Sequence, residues 1–259
     1  MLILSTKKFS CQKSQIQICR KKITSAESRS LSQRKFLMEM VKMSINKLEK
    51  DFERVQKLYR FENEVRAEGY NLIAGVDEAG RGSLVGALVV AAVILPPNLY
   101  LEKLNDSKKI SAHIRETLYD EIYKNAIAVS CVSVSVEEID KLNIYQATLK
   151  GMSLAVEGLL IKPEYVLTDA MKLDFENIPS RSIVHGDALS ASIAAASIIA
   201  KVTRDRLADE WSKKYPQYGF EHNRGYGPKA HFEAIKKFGY SSIHRKTFNP
   251  VKSMIESGR

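Results

Sequence analysis

The sequence predicts an α/β fold: a mixed five-stranded sheet flanked by helices. Two observations carry this expectation. Three strand-like segments lead the core and two more follow a pair of helical stretches, so neither an all-β nor an all-helical layout accommodates the order. The first two segments, Leu72 to Asp77 and Leu84 to Leu95, are apolar almost throughout, as strands covered on both faces must be. The chain of 259 residues is long enough for one substantial core.

Each element has its own signal. Ile45, Leu48, Phe52, Val55 and Tyr59 recur at steps of three and four, the stripe of an amphipathic helix running to about Glu68, where Gly69 ends it. Between the two apolar strands lies the turn Gly80-Arg81-Gly82. Ser111 caps a helix running to about Asn125, and Ile127 to Val136 alternates like a third strand. Ser135 and Glu138 have capping-box spacing for the next helix. After a break near Asn143, a longer helix ends near Ile161. Tyr165 to Asp169 and Ile183 to Asp187 read as short strands, Ala191 to Lys213 as a helix, and Lys229 to Phe238 as a final helix before a polar tail. Periodicity does not supply the strand order.

Charge is unevenly spread. Residues 1–60 hold 15 Lys/Arg against 5 Asp/Glu, residues 61–200 hold 12 against 19, and residues 201–252 hold 12 against 5. An acidic centre suits cations and a basic flank suits phosphates, although solvated helix faces produce the same pattern. No window approaches a membrane span. Cys11, Cys19 and Cys131 follow no metal-ligand spacing, and a reducing compartment such as the cytoplasm is the simple expectation.

Four acids fall at strand ends: Asp77 and Glu78 after the first strand, Asp169 after the fourth, and Asp187 where the fifth meets a helix. Two readings are open. Such acids serve as caps and turn formers, or they converge and need cations to offset their repulsion. Oxygen-only ligands without paired His or Cys point to Mg²⁺ or Mn²⁺. The Gly80-Arg81-Gly82 turn is likewise either an ordinary turn or a tight loop whose backbone approaches a sugar or phosphate.

Together these residues resemble bacterial ribonuclease HII, of the type 2 RNase H family. The resemblance rests on ordered blocks: Asp77-Glu78-Ala79-Gly80-Arg81-Gly82, Asp106-Ser107-Lys108-Lys109, Asp169-Ala170-Met171, Gly186-Asp187-Ala188 with Ser192 to Ser197, Ala200 to Asp205, Gly225-Tyr226-Gly227-Pro228, and His244-Arg245. They span Asn71 to Pro250, about 70% of the chain. The resemblance implies an RNase H-like core over 71–213 with a small C-terminal helical extension over 214–259. It implies that Asp77, Glu78, Asp169 and Asp187 hold two divalent ions, Mg²⁺ or Mn²⁺, and that Gly80, Arg81, Gly82, Tyr226 and Lys108 bind substrate. The substrates implied are RNA–DNA hybrids and DNA duplex containing ribonucleotides, cut to leave a 3′-hydroxyl and a 5′-phosphate. The Gly-Arg-Gly loop would read the 2′-hydroxyl and Tyr226 the sugar that follows. A monomer with no membrane association is expected.

Three positions depart from the family's pattern. Ser83 stands where proline usually follows the loop and Val85 where alanine is usual, changes expected to alter loop stiffness more than chemistry. His185 replaces a usual lysine, and is either a group titrating beside the acids or an exposed neutral imidazole. Ribonuclease HIII is the enzymatic alternative, but lysine usually replaces Arg81 there and residues 1–70 lack its strand-rich N-terminal pattern. Residues 1–43 lie outside the resemblance. They are expected to form a disordered basic arm, a transit peptide, or a stretch upstream of a true start at Met43.

Overall fold

A computed structural model describes residues 31–175 and 177–258. Expectations for residues 1–30 fall outside the described residues. The described residues open with α1 (Leu31–Leu58) and α2 (Arg60–Ala67), then β1 (Ile73–Ala79), β2 (Leu88–Ile94), α3 (Ala112–Asn125), β3 (Ala128–Val134), α4 (Val136–Leu142) and α5 (Ile144–Glu157). There follow β4 (Tyr165–Asp169), β5 (Ser180–Ile183), the single turn α6 (Gly186–Leu189), and the long α7 (Ala191–Lys214). A 3₁₀ turn (Pro216–Tyr218), α8 (Phe220–Asn223), α9 (Lys229–Phe238) and α10 (Val251–Glu256) complete it. Among the described residues no helix is long and apolar enough to cross a membrane.

The strands form one mixed sheet in the order β3-β2-β1-β4-β5. β1 pairs antiparallel with β2 (Val76 opposite Ala92) and parallel with β4 (Val76 opposite Thr168). The period-2 rule then sorts β2 between two cores. Val89, Ala91 and Val93 face α1, α3 and α7, whereas Leu88, Val90, Ala92 and Ile94 face α4 and α5. The small residues that open α7 have a physical reason here: a Cβ at Gly75 on β1 would overlap the backbone of Ser192. Helix and central strand touch at main-chain distance, and that contact fixes where the strand ends lie beneath α7.

The caps follow the sequence. Ser111 accepts from Ile114 N–H, Ser135 and Glu138 form the reciprocal capping box, and Asn143 caps α5 with φ at +67°. Several elements differ, among them the second strand, which starts at Leu88 rather than Leu84, and the helix expected to run to Glu68, which is split into α1 and α2. α1 begins at Leu31, so residues 31–43, expected within a disordered arm, are helical, and the helix starts upstream of the first readable stripe residue Ile45. α5 ends at Glu157 rather than near Ile161. The fifth strand is Ser180–Ile183 instead of Ile183 to Asp187, because this edge strand is mostly solvent-facing and carries polar residues. Asp187 therefore sits on α6. The tail expected to be irregular forms α10.

α2 contributes an anchor that no periodicity reveals. Glu62 is buried and its Oε1 accepts from the Ser190 hydroxyl (2.6 Å), the Ser192 N–H (2.8 Å) and the Ser192 hydroxyl (2.6 Å). It caps α7 from a different helix, and its negative charge meets the positive end of that helix's dipole. Replacing it by alanine strands three buried donors. Glu62→Ala is expected to lower unfolding free energy by about 2–3 kcal/mol in urea denaturation. A change below about 0.5 kcal/mol would show that water replaces the carboxylate without loss.

A candidate metal centre and the loop beside it

Strand pairing brings the acids together. β1 and β4 run parallel as neighbours, so Asp77 and Asp169 emerge at the same edge, and α6 folds back so that Asp187 faces them. Asp77, Asp169 and Asp187 each offer one oxygen, and the three oxygens lie within 4.8 Å of one another. Backbone amides orient them: Glu78 N–H donates to Asp77 (2.7 Å) and Gly186 N–H to Asp169 (2.7 Å). Glu78 adjoins the trio without belonging to it. Its Oε1 stands 3.9 Å from Arg81 Nη1, and its buried Oε2 has no hydrogen-bond partner.

The electrostatics point the same way. Burial, then Glu78 and Asp169, push the Asp77 carboxyl well above the usual carboxylate range. Burial also raises Asp169, partly offset by the Gly186 amide. Glu78 is pushed up to about 6, chiefly by burial and by Asp169, although Arg81 pulls the other way. Carboxyls that resist ionising side by side, with an orphaned buried oxygen among them, make a donor set complementary to hard divalent cations.

This has a measurable consequence. A carboxyl whose folded pKa is raised favours the folded state fully below its unfolded value, and that contribution is lost as pH rises through the folded value. For Glu78 the window runs from 4.5 to about 6, and the loss amounts to about 2 kcal/mol. Added Mg²⁺ or Mn²⁺ should therefore raise Tm more at pH 8 than at pH 5, as thermal scans with and without the cation would record. Equal increments at the two pH values would contradict cation binding by these acids.

Beside the acids, the Gly80-Arg81-Gly82 loop is clamped by a buried arginine from near the C-terminus. Arg245 donates through Nη2 to Gly80 O (2.8 Å), through Nη1 to Arg81 O (2.9 Å), and through Nε and Nη2 to Gly86 O (3.1 and 3.0 Å). Gly80 has φ +91°, and a Cβ there would collide with the Arg204 guanidinium. Arg204, also fully buried, donates to Arg224 O (2.9 Å), Ser83 Oγ (2.7 Å) and Val85 O (3.3 Å). Neither buried guanidinium makes an ion pair with a carboxylate among the described residues. Main-chain carbonyls solvate both, so each cation holds backbone in place.

The remaining candidates are placed as follows. Lys108 Nζ reaches Asp187 Oδ2 at 3.1 Å while its side chain stays largely exposed. The Tyr226 ring lies over Arg204 (5.3 Å to its centroid) and is 40% exposed. His185 is exposed, in a left-handed conformation before α6, and close enough for its charge to favour the Asp169 carboxylate. Ser83 makes structural contacts that the expectation about loop stiffness did not specify. It is fully buried, donates to Val85 O (3.0 Å) or Gly225 O (2.8 Å), and accepts from Arg204. Proline could make none of these bonds. Sequence reasoning assigned no task to Glu62, Arg204, His231, His244 or Arg245. Arg204, His244 and Arg245 had only a place inside family-like blocks as a signal, His231 follows one, and Glu62 lies outside them all, its partners 128 and 130 residues away.

Comparison with known proteins supplies an independent line. The profile of a family described as ribonuclease HII matches residues 74–251. Over 211 residues the chain is 53% identical to a ribonuclease HII of Bacillus cytotoxicus, covering 82% of this chain and 81% of that protein. It is 50% identical to one from Enterococcus faecalis over 80% and 81%. Among solved structures, the ribonuclease H2 of Pyrococcus horikoshii superposes with TM-score 0.62 and 27% identity, over 71% of this chain and 97% of that one.

Proposed function

The chain belongs to the ribonuclease HII family and is a type 2 ribonuclease H, and on that footing we propose that it hydrolyses the phosphodiester 5′ of ribonucleotides embedded in duplex DNA. It would also cut the RNA strand of RNA–DNA hybrids. Both reactions leave a 3′-hydroxyl and a 5′-phosphate, and the role is removal of ribonucleotides from DNA. The observation carrying this reading is the adjacency of the buried acid trio to a backbone loop clamped by Arg245.

Asp77, Asp169 and Asp187, with Glu78 beside them, would hold two Mg²⁺ or Mn²⁺ ions. When bound, such ions supply an activated water and counter-charge for the leaving oxygen. The chain's own residues do the rest. Main-chain groups of Gly80, Arg81 and Gly82 approach the 2′-hydroxyl, and Arg81 adds positive charge for the adjoining phosphate. Lys108, with its exposed ammonium held beside Asp187, binds a phosphate oxygen. Tyr226 lies against the sugar that follows the ribonucleotide. The basic quarter of the chain after residue 200 would bind the duplex backbone in a salt-dependent manner. We place the protein in the cytoplasm as a monomer.

The test is a set of three duplexes of one sequence: all DNA, DNA with a single ribonucleotide, and a DNA–RNA hybrid. They are incubated with Mg²⁺ or Mn²⁺ at one salt concentration and the product ends are analysed. Cutting 5′ of the lone ribonucleotide supports the reading. Cutting confined to the hybrid, or equal cutting of all three, overturns it.

A further inference from the structure

The C-terminal extension buries two histidines side by side, and neither belongs to the acid site. His231 on α9 and His244 are both fully buried, with Nε2 atoms 3.2 Å apart. The rings of Tyr218 and Phe220 enclose them at 4.9–6.2 Å between centroids.

Their partners dictate the proton positions. The backbone N–H of Ser241 donates to His244 Nδ1 at 2.9 Å, so that nitrogen carries no proton. A neutral His244 then has its proton on Nε2 and donates to His231 Nε2. His231 in turn carries its proton on Nδ1, which lies 2.6 Å from the carbonyl oxygen of Tyr226. The result is a one-way chain of hydrogen bonds from Ser241 to Tyr226, each polarising the next. Burial lowers the proton affinity of both imidazoles, so both are neutral at physiological pH as the chain requires.

The chain ends on the residue whose position matters for substrate. Tyr226 N–H already donates to Asn223 O (2.9 Å), so the His231 bond fixes the other side of the same residue. His244 also bridges Val85, and Arg245 beside it clamps the Gly80–Gly82 loop. We propose that His231 and His244 form a positioning relay that holds Tyr226 in register with the Gly-Arg-Gly loop, so that both checks on the substrate sugar act on one nucleotide step. The proposal rests on the reading of Tyr226 as a sugar-packing residue.

The side chains of Asn and Gln separate the two halves of the relay. The Nδ2 of His231→Asn can replace the imidazole Nδ1–H and keep the bond to Tyr226. His231→Gln keeps a partner for His244 Nε2 and drops that bond, and His231→Leu drops both. Two readouts are taken on full-length protein: the NMR signal of the Tyr226 ring without substrate, and kcat/KM on the lone-ribonucleotide duplex and on the hybrid. The Gln and Leu variants should shift the Tyr226 signal. They should also lower kcat/KM on the lone ribonucleotide by about tenfold, the worth of one lost hydrogen bond, with about threefold or less on the hybrid. His231→Asn should restore both readouts. A folded His231→Gln with the wild-type Tyr226 signal and the wild-type ratio of rates overturns the relay. Tyr226→Ala is the control for the underlying reading. If it slows both duplexes equally while the Gln variant still moves the ring, the relay stands as a positioning device and the tyrosine's role in substrate choice falls.

Discussion

Asp77→Asn is expected to reduce cleavage by about 10³-fold or more while leaving the protein folded. Asp77 lies where β1 meets the trio, its oxygen within reach of those of Asp169 and Asp187, and Glu78 N–H holds one of its oxygens. An amide has the same shape but no charge to balance a divalent cation. The same substitution removes a carboxyl whose ionisation is opposed by burial first and then by Glu78 and Asp169. In cation-free buffer the variant should therefore be at least as thermally stable as the wild type, a usual signature of a site strained for function. Single-turnover kinetics with Mg²⁺ measure the first effect and thermal unfolding the second. Near-normal turnover by the folded variant would remove Asp77 from the active centre. A folded variant that is inactive yet markedly less stable would make the aspartate structural instead.

The second large effect is on choice of sugar. A duplex with one ribonucleotide is expected to be cut about 10⁴-fold faster than the same duplex without it. The scissile phosphate is identical in the two, so acids and cations alone cannot tell them apart. On the proposed reading the difference comes from main-chain groups near Gly80 to Gly82, which would be left unsatisfied when the hydroxyl is missing. Arg245 would set their precision, because its planar fork reaches Gly80 O, Arg81 O and Gly86 O together. Lysine keeps a positive charge but has no fork. Arg245→Lys should therefore narrow the ratio of kcat/KM on the two duplexes. Arg245→Ala, which removes the side-chain donor from Arg81 O and Gly86 O and leaves Gly80 O only its longer bond from Ser83 N–H (3.2 Å), should cost about 2–4 kcal/mol of stability as well. An unchanged ratio in a folded Arg245→Lys protein would show that the clamp has no part in discrimination.

The parts legible in the sequence were those with a local signal. The dry run ending at Asp77, the Ser135–Glu138 box and the Asn143 break all obey short-range rules, and each stands where those rules put it. The edge strand Ser180–Ile183 escaped because polar residues on a solvent-facing edge lose the apolar pattern that marks a strand. Strand order depends on which apolar faces meet across the whole chain, and no window contains that information. Three acids do converge as their strand-end positions suggested, but the reason lies in the parallel pairing of β1 with β4. The polar contacts around the site were illegible for a related reason. Glu62 finds Ser190 and Ser192 across 128 and 130 residues, and a hydrogen bond between distant residues has no period.

The Arg245 clamp also orders events in time. Arg245 reaches back 164 residues to Arg81 and 165 to Gly80. On a ribosome adding about 5–20 residues per second, the loop emerges roughly 8–30 s before the side chain that holds it. The acids, the last of them Asp187, are all synthesised before the clamp. A nascent chain thus acquires the groups proposed for cutting before the groups proposed for choosing where to cut. Products released early, between Asp187 and Arg245, would carry every acid and no brace for the loop proposed to read the sugar, so on that reading selectivity would be among the last properties the growing chain completes.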